Sequence, residues 1–371
     1  MRIAQIAPLM ESVPPRLYGG TERIVSYLTE ELVQQGHDVT LFASGDSVTS
    51  GKLVPCARKA LRLDPGVQDI VPYYMLMLDK VRQRAHEFDI LHFHIDLFHF
   101  PLFRSLATHT VTTLHGRQDM PDLRGFYYGF ATMPLVSISN AQRKPIAAAN
   151  FIGTVYHGIP RDQHLPTLAP RGGYLAFLGR ISPEKGPDTA IRIARALGMP
   201  LKIAAKVDKV DEAYFRSTIA PLLDGGDVEF VGEINETDKT RFLGEASALL
   251  FPIDWPEPFG LVMIEAMACG TPVLAMRRGS VAEVIEDGVT GFVVESEQEA
   301  IATLPQVLGL DRRGVRKRFE ERFSAARMAQ DYVRVYRTLL RKRVQMEEQE
   351  MQEPIRLPDY QDDTGIAAHV D

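Results

Sequence analysis

Cysteine is nearly missing from this chain, with only Cys56 and Cys269 among 371 residues. The two have no metal-ligand spacing, and Cys269 sits in the helix-end run AMACGTP, so both read as reduced and structural. Long apolar runs are missing too. No stretch approaches the ~18 residues of a membrane span, and the opening MRIAQIAPLMESVPP breaks at two prolines before any signal-like apolar region. A cytoplasmic protein is expected. The net charge of -6 is misleading until it is located: residues 346–371 hold eight acids against Arg356 alone, a sum of -7, which leaves the body at +1. Such a body carries no electrostatic footprint for nucleic acid. The tail has few large apolar residues and reads as disordered. Basic clusters at residues 57–63 and 341–343 leave contact with a membrane surface open, beside the plainer reading of solvated helix faces.

What the chain does have is length and alternation. Its 371 residues and 45% hydrophobic content suit two domains with separate cores. RIAQIAP, DVTLFAS, DILHFH, TVTTLHG, LVSIS and TVYHG read as strands, with amphipathic helices over residues 21–35 and 73–86. A second series follows PTLAPRGG: LAFLGR, LKIAAKV, VEFVG, ALLFPI, PVLAM and GFVV. The pattern predicts two doubly wound α/β halves joined near residues 166–173, with motif-bearing loops at the carboxyl ends of the strands converging on one cleft. After Phe323 a helical stretch runs to about Val344.

The most informative segment is PEPFGLVMIEAMACGTPV, residues 256–273. Pro256 and Pro258 end the strand-like ALLFPI, and Leu261, Ile264, Glu265, Ala266 and Met267 follow helical periodicity, which puts Glu257 in a loop and Glu265 on a helix. Free N–H groups at Phe259, Gly260 and Leu261 would attract phosphate or sugar oxygens. A carboxylate further along accepts hydroxyl hydrogens, as from a ribose. Upstream, Arg180 and Lys185 flank the turn GRISPEKG, two cations at a helix start that suit a diphosphate. Gly19 and Gly20 allow a close backbone approach where Thr21 is placed to cap the first helix. In HFHID, period-two spacing puts His92 and His94 on one face with Asp96 nearby, so a metallohydrolase strand is an alternative reading.

Together these segments resemble the retaining glycosyltransferases of the GT-B fold, most closely glycosyltransferase family 4. The acidic signature around Glu257 and Glu265, the basic loop LAFLGRISPEKG, the glycine-rich YGGTERIV and the HGI and EVIEDGVTGFVV segments carry the resemblance, over roughly residues 1–340. It implies an acceptor-binding Rossmann-like domain over residues 1–168, a donor domain over 169–322, and a helix over 323–345 that crosses back to the first domain, followed by the acidic tail, 346–371. It implies a nucleotide-diphosphate sugar as donor and a sugar, lipid-linked or small-molecule hydroxyl as acceptor. In that reading Arg180 and Lys185 neutralise the leaving group, Glu257 meets the transferred sugar's hydroxyls, and His115 lies near the reacting carbon. Gly19, Gly20, Lys206, Phe259, Gly260, Leu261, Val262 and Glu265 hold the donor. No DxD-like motif stands at a strand end, so no divalent metal or other cofactor is expected. The family is thought to retain configuration by front-face attack. Lys206 stands where relatives often have a small residue, and Ser280 replaces a common glycine ahead of Glu283. An epimerase of the same fold and a non-catalytic sugar-nucleotide binder are the remaining alternatives.

Overall fold

Short runs of β-branched and aromatic residues pair in parallel throughout the computed structural model, which describes residues 1–16 and 19–352. The first sheet is built from β1 (Arg2–Ile6), β2 (Asp38–Ser44), β3 (Lys52–Ala57), β4 (Ile90–Phe93), β5 (Thr110–Thr113), β6 (Leu135–Ser137) and β7 (Phe151–Thr154), in the order β3-β2-β1-β4-β5-β6-β7. The second is built from β8 (Leu175–Arg180), β9 (Leu201–Lys206), β10 (Val228–Gly232), β11 (Ala248–Phe251), β12 (Val273–Met276) and β13 (Gly291–Val294), in the order β10-β9-β8-β11-β12-β13. In each sheet the strand order reverses beside its first strand, between β1 and β4 and between β8 and β11. That reversal opens a crevice at the strands' carboxyl ends, because the flanking crossovers run to opposite faces.

Each sheet is apolar on both faces, as a parallel sheet covered by helices must be. Leu175, Phe177, Ile203 and Leu250 fill one side of the second sheet, while Ala176, Leu249, Phe259 and Met263 fill the other. One face of the first sheet is covered from far along the chain. The helix Ala325–Gln352 buries Met328, Ala329, Tyr332 and Tyr336 against Ile3, Ile24, Leu28 and Ile90.

The local differences from the sequence reading have physical causes. The strand β3 escapes it because Pro55 interrupts the run KLVPCA; proline is tolerated there because β3 is an edge strand with no neighbour on its far side. The last strand of the first sheet is FIGT rather than TVYHG. Val155 still donates to Ser137 O at 2.9 Å, but His157 and Gly158 have left the sheet to meet the final helix. The first helix spans Gly20–Gln34, and its N-cap is Gly19 at φ 146°, with no side-chain cap, so Thr21 lies inside the helix instead of capping it. A Cβ on Gly19 would stand 2.8 Å from Pro15 Cβ, so the tight entry requires glycine. The second helix covers Val71–Gln83. The final helix continues to Gln352, so the acidic stretch from residue 346 begins as helix; the rest of that stretch, 353–371, lies outside the described residues.

The two halves are tied by side chains as well as by the chain. Glu283, in the short helix Val281–Val284, accepts the backbone N–H of Asn140 and of Ala141, both at 2.7 Å, and the Tyr156 hydroxyl at 3.0 Å. Its carboxylate thus caps a helix start of the other half. Glu283→Ala is expected to lower unfolding stability by ~1–2 kcal/mol, read as a lowered denaturant midpoint; an unchanged midpoint would mean that this contact does not hold the halves together.

Candidate active site

The crevices of the two sheets face one another and form a single cleft of about 640 Å³. From the first half it is lined by Gly19, Gly20, Glu22, Arg23, His115 and His157; from the second by Arg180, Lys185, Lys206, Glu257, Glu265 and the turn Pro258–Val262. Every residue singled out for the donor or for catalysis therefore lies on this one surface. Gly20 comes near the opposite half, since a Cβ there would stand 3.5 Å from Leu261 Cδ1.

The acidic segment folds as its prolines and glycine dictate. The strand β11 ends at Phe251, the loop carries Trp255 and Glu257, and Gly260 at φ 79° caps the helix Leu261–Ala268. That positive φ is a backbone conformation side chains rarely adopt, so the turn into the helix favours glycine. The Phe259 side chain is buried and packs its ring edge-on against His157, with centroids 4.9 Å apart. Phe259 therefore offers the cleft only its backbone. Ser280 holds this loop from behind, with its N–H on Glu257 O at 2.9 Å and its hydroxyl on Phe259 O at 3.0 Å. The substitution for glycine at that position thus anchors the acidic loop.

The cations of the cleft are held by carboxylates. Arg180, the last residue of β8, pairs with Glu184 at 2.7 Å and Asp211 at 3.4 Å. Lys185 Nζ lies 2.6 Å from Glu257 Oε2, which also accepts Trp255 Nε1–H at 3.0 Å, and the ammonium sits 4.8 Å from the indole ring. Arg117, from the first half, covers the same ring at 5.5 Å and is bound to Asp119 by two hydrogen bonds of 2.7 Å. Lys206 pairs with Asp208 at 2.9 Å, and Arg62 with Glu11 at the same distance.

Glu265 is 5% exposed and bound to Lys239, also buried, at 2.9 Å. Burial alone would raise its pKa, but Lys239, His164 and Arg23 outweigh burial and leave it below the usual carboxylate value. Lys239 in turn pairs with Glu236 at 2.8 Å, and Glu236 reaches Arg23 of the first half at 2.7 Å. Sequence reasoning missed Lys239, Glu236, Arg23 and Trp255. The run NETDKTRF looks like a solvated helix start, and only tertiary packing turns its lysine inward; the proximity of Trp255 to Glu257 was the one available signal.

The histidines are consumed by the protein. His92 places Nδ1 2.7 Å from the Tyr336 hydroxyl and Nε2 2.8 Å from Thr113 Oγ1. His94 places Nε2 2.7 Å from Gln5 Oε1 and Nδ1 2.9 Å from His115 Nε2. With both nitrogens of each ring engaged, neither presents a ligand atom to an ion, and Asp96 is exposed at φ 51°. The metallohydrolase reading of His92, His94 and Asp96 therefore fails on geometry. Among the described residues, His164, Glu236 and Glu265 do bring three ligand atoms within 4.8 Å of one another, but the Lys239 ammonium already binds both carboxylates there. Burial pushes His92, His94 and His157 well below the usual imidazole pKa and His115 to about 3.

Two facing parallel α/β halves with the site between them define the GT-B class, and solved structures of that class superpose on this chain. A sucrose-phosphate synthase from Thermosynechococcus elongatus does so with a TM-score of 0.74 at 17% identity, over 92% of this chain and 99% of that one. A glycosyltransferase involved in avilamycin A biosynthesis gives 0.70 at 22%, over 91% and 98%. The Anabaena protein HepE, solved with UDP and glucose, gives 0.68 at 18%, over 91% and 100%. Residues 18–153 match the family described as Glycosyltransferase Family 4, and residues 166–322 the one described as Glycosyl transferases group 1. The chain belongs to the family 4 glycosyltransferases. The D-inositol 3-phosphate glycosyltransferase of Mycobacterium sp. (strain KMS) is 31% identical over 175 residues, which span 43% of this chain but only 38% of the relative. The phosphatidyl-myo-inositol mannosyltransferase of Mycobacterium leprae is 25% identical over 91% of this chain and 97% of its own.

The buried Lys239–Glu265 pair supplies a test of the site's electrostatics. Lys239→Met leaves a carboxylate buried without its partner and is expected to cost ~3–5 kcal/mol, whereas adding Glu265→Gln should recover most of that loss. Additive losses in the double-mutant cycle would show that the two side chains act separately.

Proposed function

We propose that this protein transfers a sugar from a nucleotide-diphosphate sugar to a hydroxyl acceptor, with retention of configuration and without a required metal ion. The observation that carries this reading is the convergence, in one cleft, of Arg180, Lys185 and the helix start at Gly260–Leu261 with Glu257 and Glu265. A nucleoside diphosphate is already a competent leaving group once its charge is neutralised. The catalytic need is then fixed positive charge in an aligned, dry cleft.

In this reading the diphosphate lies at the end of β8 against Arg180, Lys185 and the N–H groups of Gly260 and Leu261. Lys185 stands on Glu257 Oε2 at 2.6 Å, so a phosphate oxygen that draws the ammonium away leaves the carboxylate to accept hydroxyls of the transferred sugar. Glu265, held ionised by Lys239, accepts hydroxyls of the ribose. The first half holds the acceptor, with Gly19 and Gly20 approaching the donor across the cleft and His115 near the reacting carbon.

Retention is supported by the poverty of bases opposite the donor. Asp119 is committed to Arg117, His115, at a pKa of about 3, is a poor proton acceptor near neutral pH, and Asp96, raised to about 6, lines the adjoining recess rather than the interdomain cleft. The departing phosphate oxygen is then the base for the acceptor's proton. The UDP and glucose bound by HepE make uracil nucleotides and hexoses reasonable first donors to assay.

Two measurements test the reading. In assays run with EDTA present, turnover should persist, while Arg180→Ala and Lys185→Ala should each lose at least ~10-fold in kcat/KM, about 1.4 kcal/mol of transition-state stabilisation, with the fold intact. Near-normal kinetics in both variants would remove the diphosphate from this place. NMR of the new linkage should show an α-linked product from an α-linked donor; a β-linked product would mean inversion and redirect the search for a base to the first half.

A further inference from the structure

We infer that Trp255 is a positioning residue for the transferred sugar: its indole N–H keeps Glu257 Oε2 in place when Lys185 passes to a diphosphate, so that Oε1 meets one sugar hydroxyl in one orientation. The inference rests on the glycosyl-transfer reading for the sugar but not for the hold on the carboxylate.

Two donors meet the Glu257 carboxylate, and both fall on the same oxygen. Lys185 Nζ stands 2.6 Å and Trp255 Nε1 3.0 Å from Oε2. Among the described residues no hydrogen bond reaches Oε1, and that oxygen is not sealed from solvent in a residue that lines the cleft. Glu257 as a whole is 9% exposed. A carboxylate so placed that lost its ammonium and kept no donor would carry the full cost of burial. The indole is the donor that remains.

The two donors differ in what fixes them. An ammonium on a flexible stem turns and swings, whereas an indole N–H points where its rigid ring points and has no accepting role. The ring stays because its segment is tied on several sides. Glu257 N–H donates to Trp255 O at 2.7 Å, Asp254 N–H to Glu184 O at 2.8 Å and Ser280 N–H to Glu257 O at 2.9 Å. Arg117, bound to Asp119 by two hydrogen bonds, stays over the indole at 5.5 Å when the lysine departs, so the ring keeps a cationic neighbour. A phenylalanine would also offer these cations a ring face, but it has no donor for Oε2.

With Oε2 anchored, the carboxyl plane is held and Oε1 accepts from one direction. A sugar that places a hydroxyl there is paired, while its epimer at that carbon leaves the acceptor without a donor in a closed cleft. Trp255 thus sharpens the choice of sugar through Glu257 without touching the sugar itself.

The test begins with the protein alone. The chain has one tryptophan, so a 15N–1H spectrum of the labelled protein carries one indole signal and reports this contact by itself. In Glu257→Ala, which removes the acceptor, the signal should move upfield and exchange quickly with water. In Lys185→Met it should keep the position and slow exchange of the unaltered protein. A Lys185→Met signal at the Glu257→Ala position overturns the hold. Kinetics then test the positioning, with the donor turned over fastest in a panel of UDP-, GDP-, ADP- and dTDP-hexoses. Trp255→Phe should lower kcat/KM by at least ~10-fold and narrow the preference over that donor's epimers, while calorimetry finds the affinity for the free nucleoside diphosphate within ~2-fold of the original. Combined with Glu257→Gln it should add no further loss. An unchanged epimer preference, additive losses, or a fall in nucleoside diphosphate affinity as large as that in kcat/KM overturns the positioning. A held indole in a protein that turns over no nucleotide sugar leaves the hold standing and removes only the glycosyl-transfer reading.

Discussion

The ion pair between Lys185 and Glu257 is the contact on which the cleft's arrangement depends. It joins the turn after β8 to the loop after β11, the two chain segments that flank the reversal of strand order in the second sheet. Trp255 is gripped by the same pair and reaches Arg117 of the first half, so one carboxylate oxygen organises an indole, an ammonium and a guanidinium. The surrounding cations follow the same rule, each held by an acid within hydrogen-bond or ion-pair reach. Positive charge is thereby kept in a cleft that would otherwise repel itself, and in the proposed glycosyl transfer an arriving diphosphate would release it by an exchange of partners. Such exchange costs far less than desolvating isolated ammonium groups, since each cation passes from one oxygen to another.

Much of this was legible in the sequence, and the reasons are local. The segments LAFLGRISPEKG and PEPFGLVMIEAMACGTPV carry their own punctuation: a strand, a glycine or proline, a helix start. Their turns leave Arg180, Lys185, Glu257 and Gly260 little choice of place, and the alternation of strand-like and helical runs sufficed for two parallel sheets. What the sequence concealed is whatever depends on contacts far along the chain. Lys239 looks like an exposed helix residue and is buried against Glu265, 26 residues away. Nothing in the run PEPFG tells that the Phe259 ring is core, packed edge-on against His157. His92 and His94 have the spacing of metal ligands, but the partners that disarm them, Gln5 and Tyr336, lie 89 and 244 residues distant. No periodicity encodes such pairings.

The first half and the second differ in how they are closed. The second sheet is covered by helices from its own stretch of chain, whereas one face of the first sheet is sealed by Tyr332, Tyr336 and their neighbours on the last helix. The same tyrosines hold the histidine network, so that the sealing helix also touches the chemistry-bearing strand ends from below. Burial and hydrogen bonding are thus satisfied by one element, which explains why two tyrosines stand where aliphatic residues would fill the space equally well.

That closure has a consequence for how the chain is made. During synthesis β1 and the helix Gly20–Gln34 emerge early, but the side chains that cover Ile3, Ile24, Leu28 and Ile90 leave the ribosome only after the whole second sheet. Until then the first half presents an uncovered apolar face and unsatisfied histidines, a state prone to self-association and suited to capture by chaperones. The second half can fold before the first is finished, and the maturation of the first half waits on the helix Ala325–Gln352.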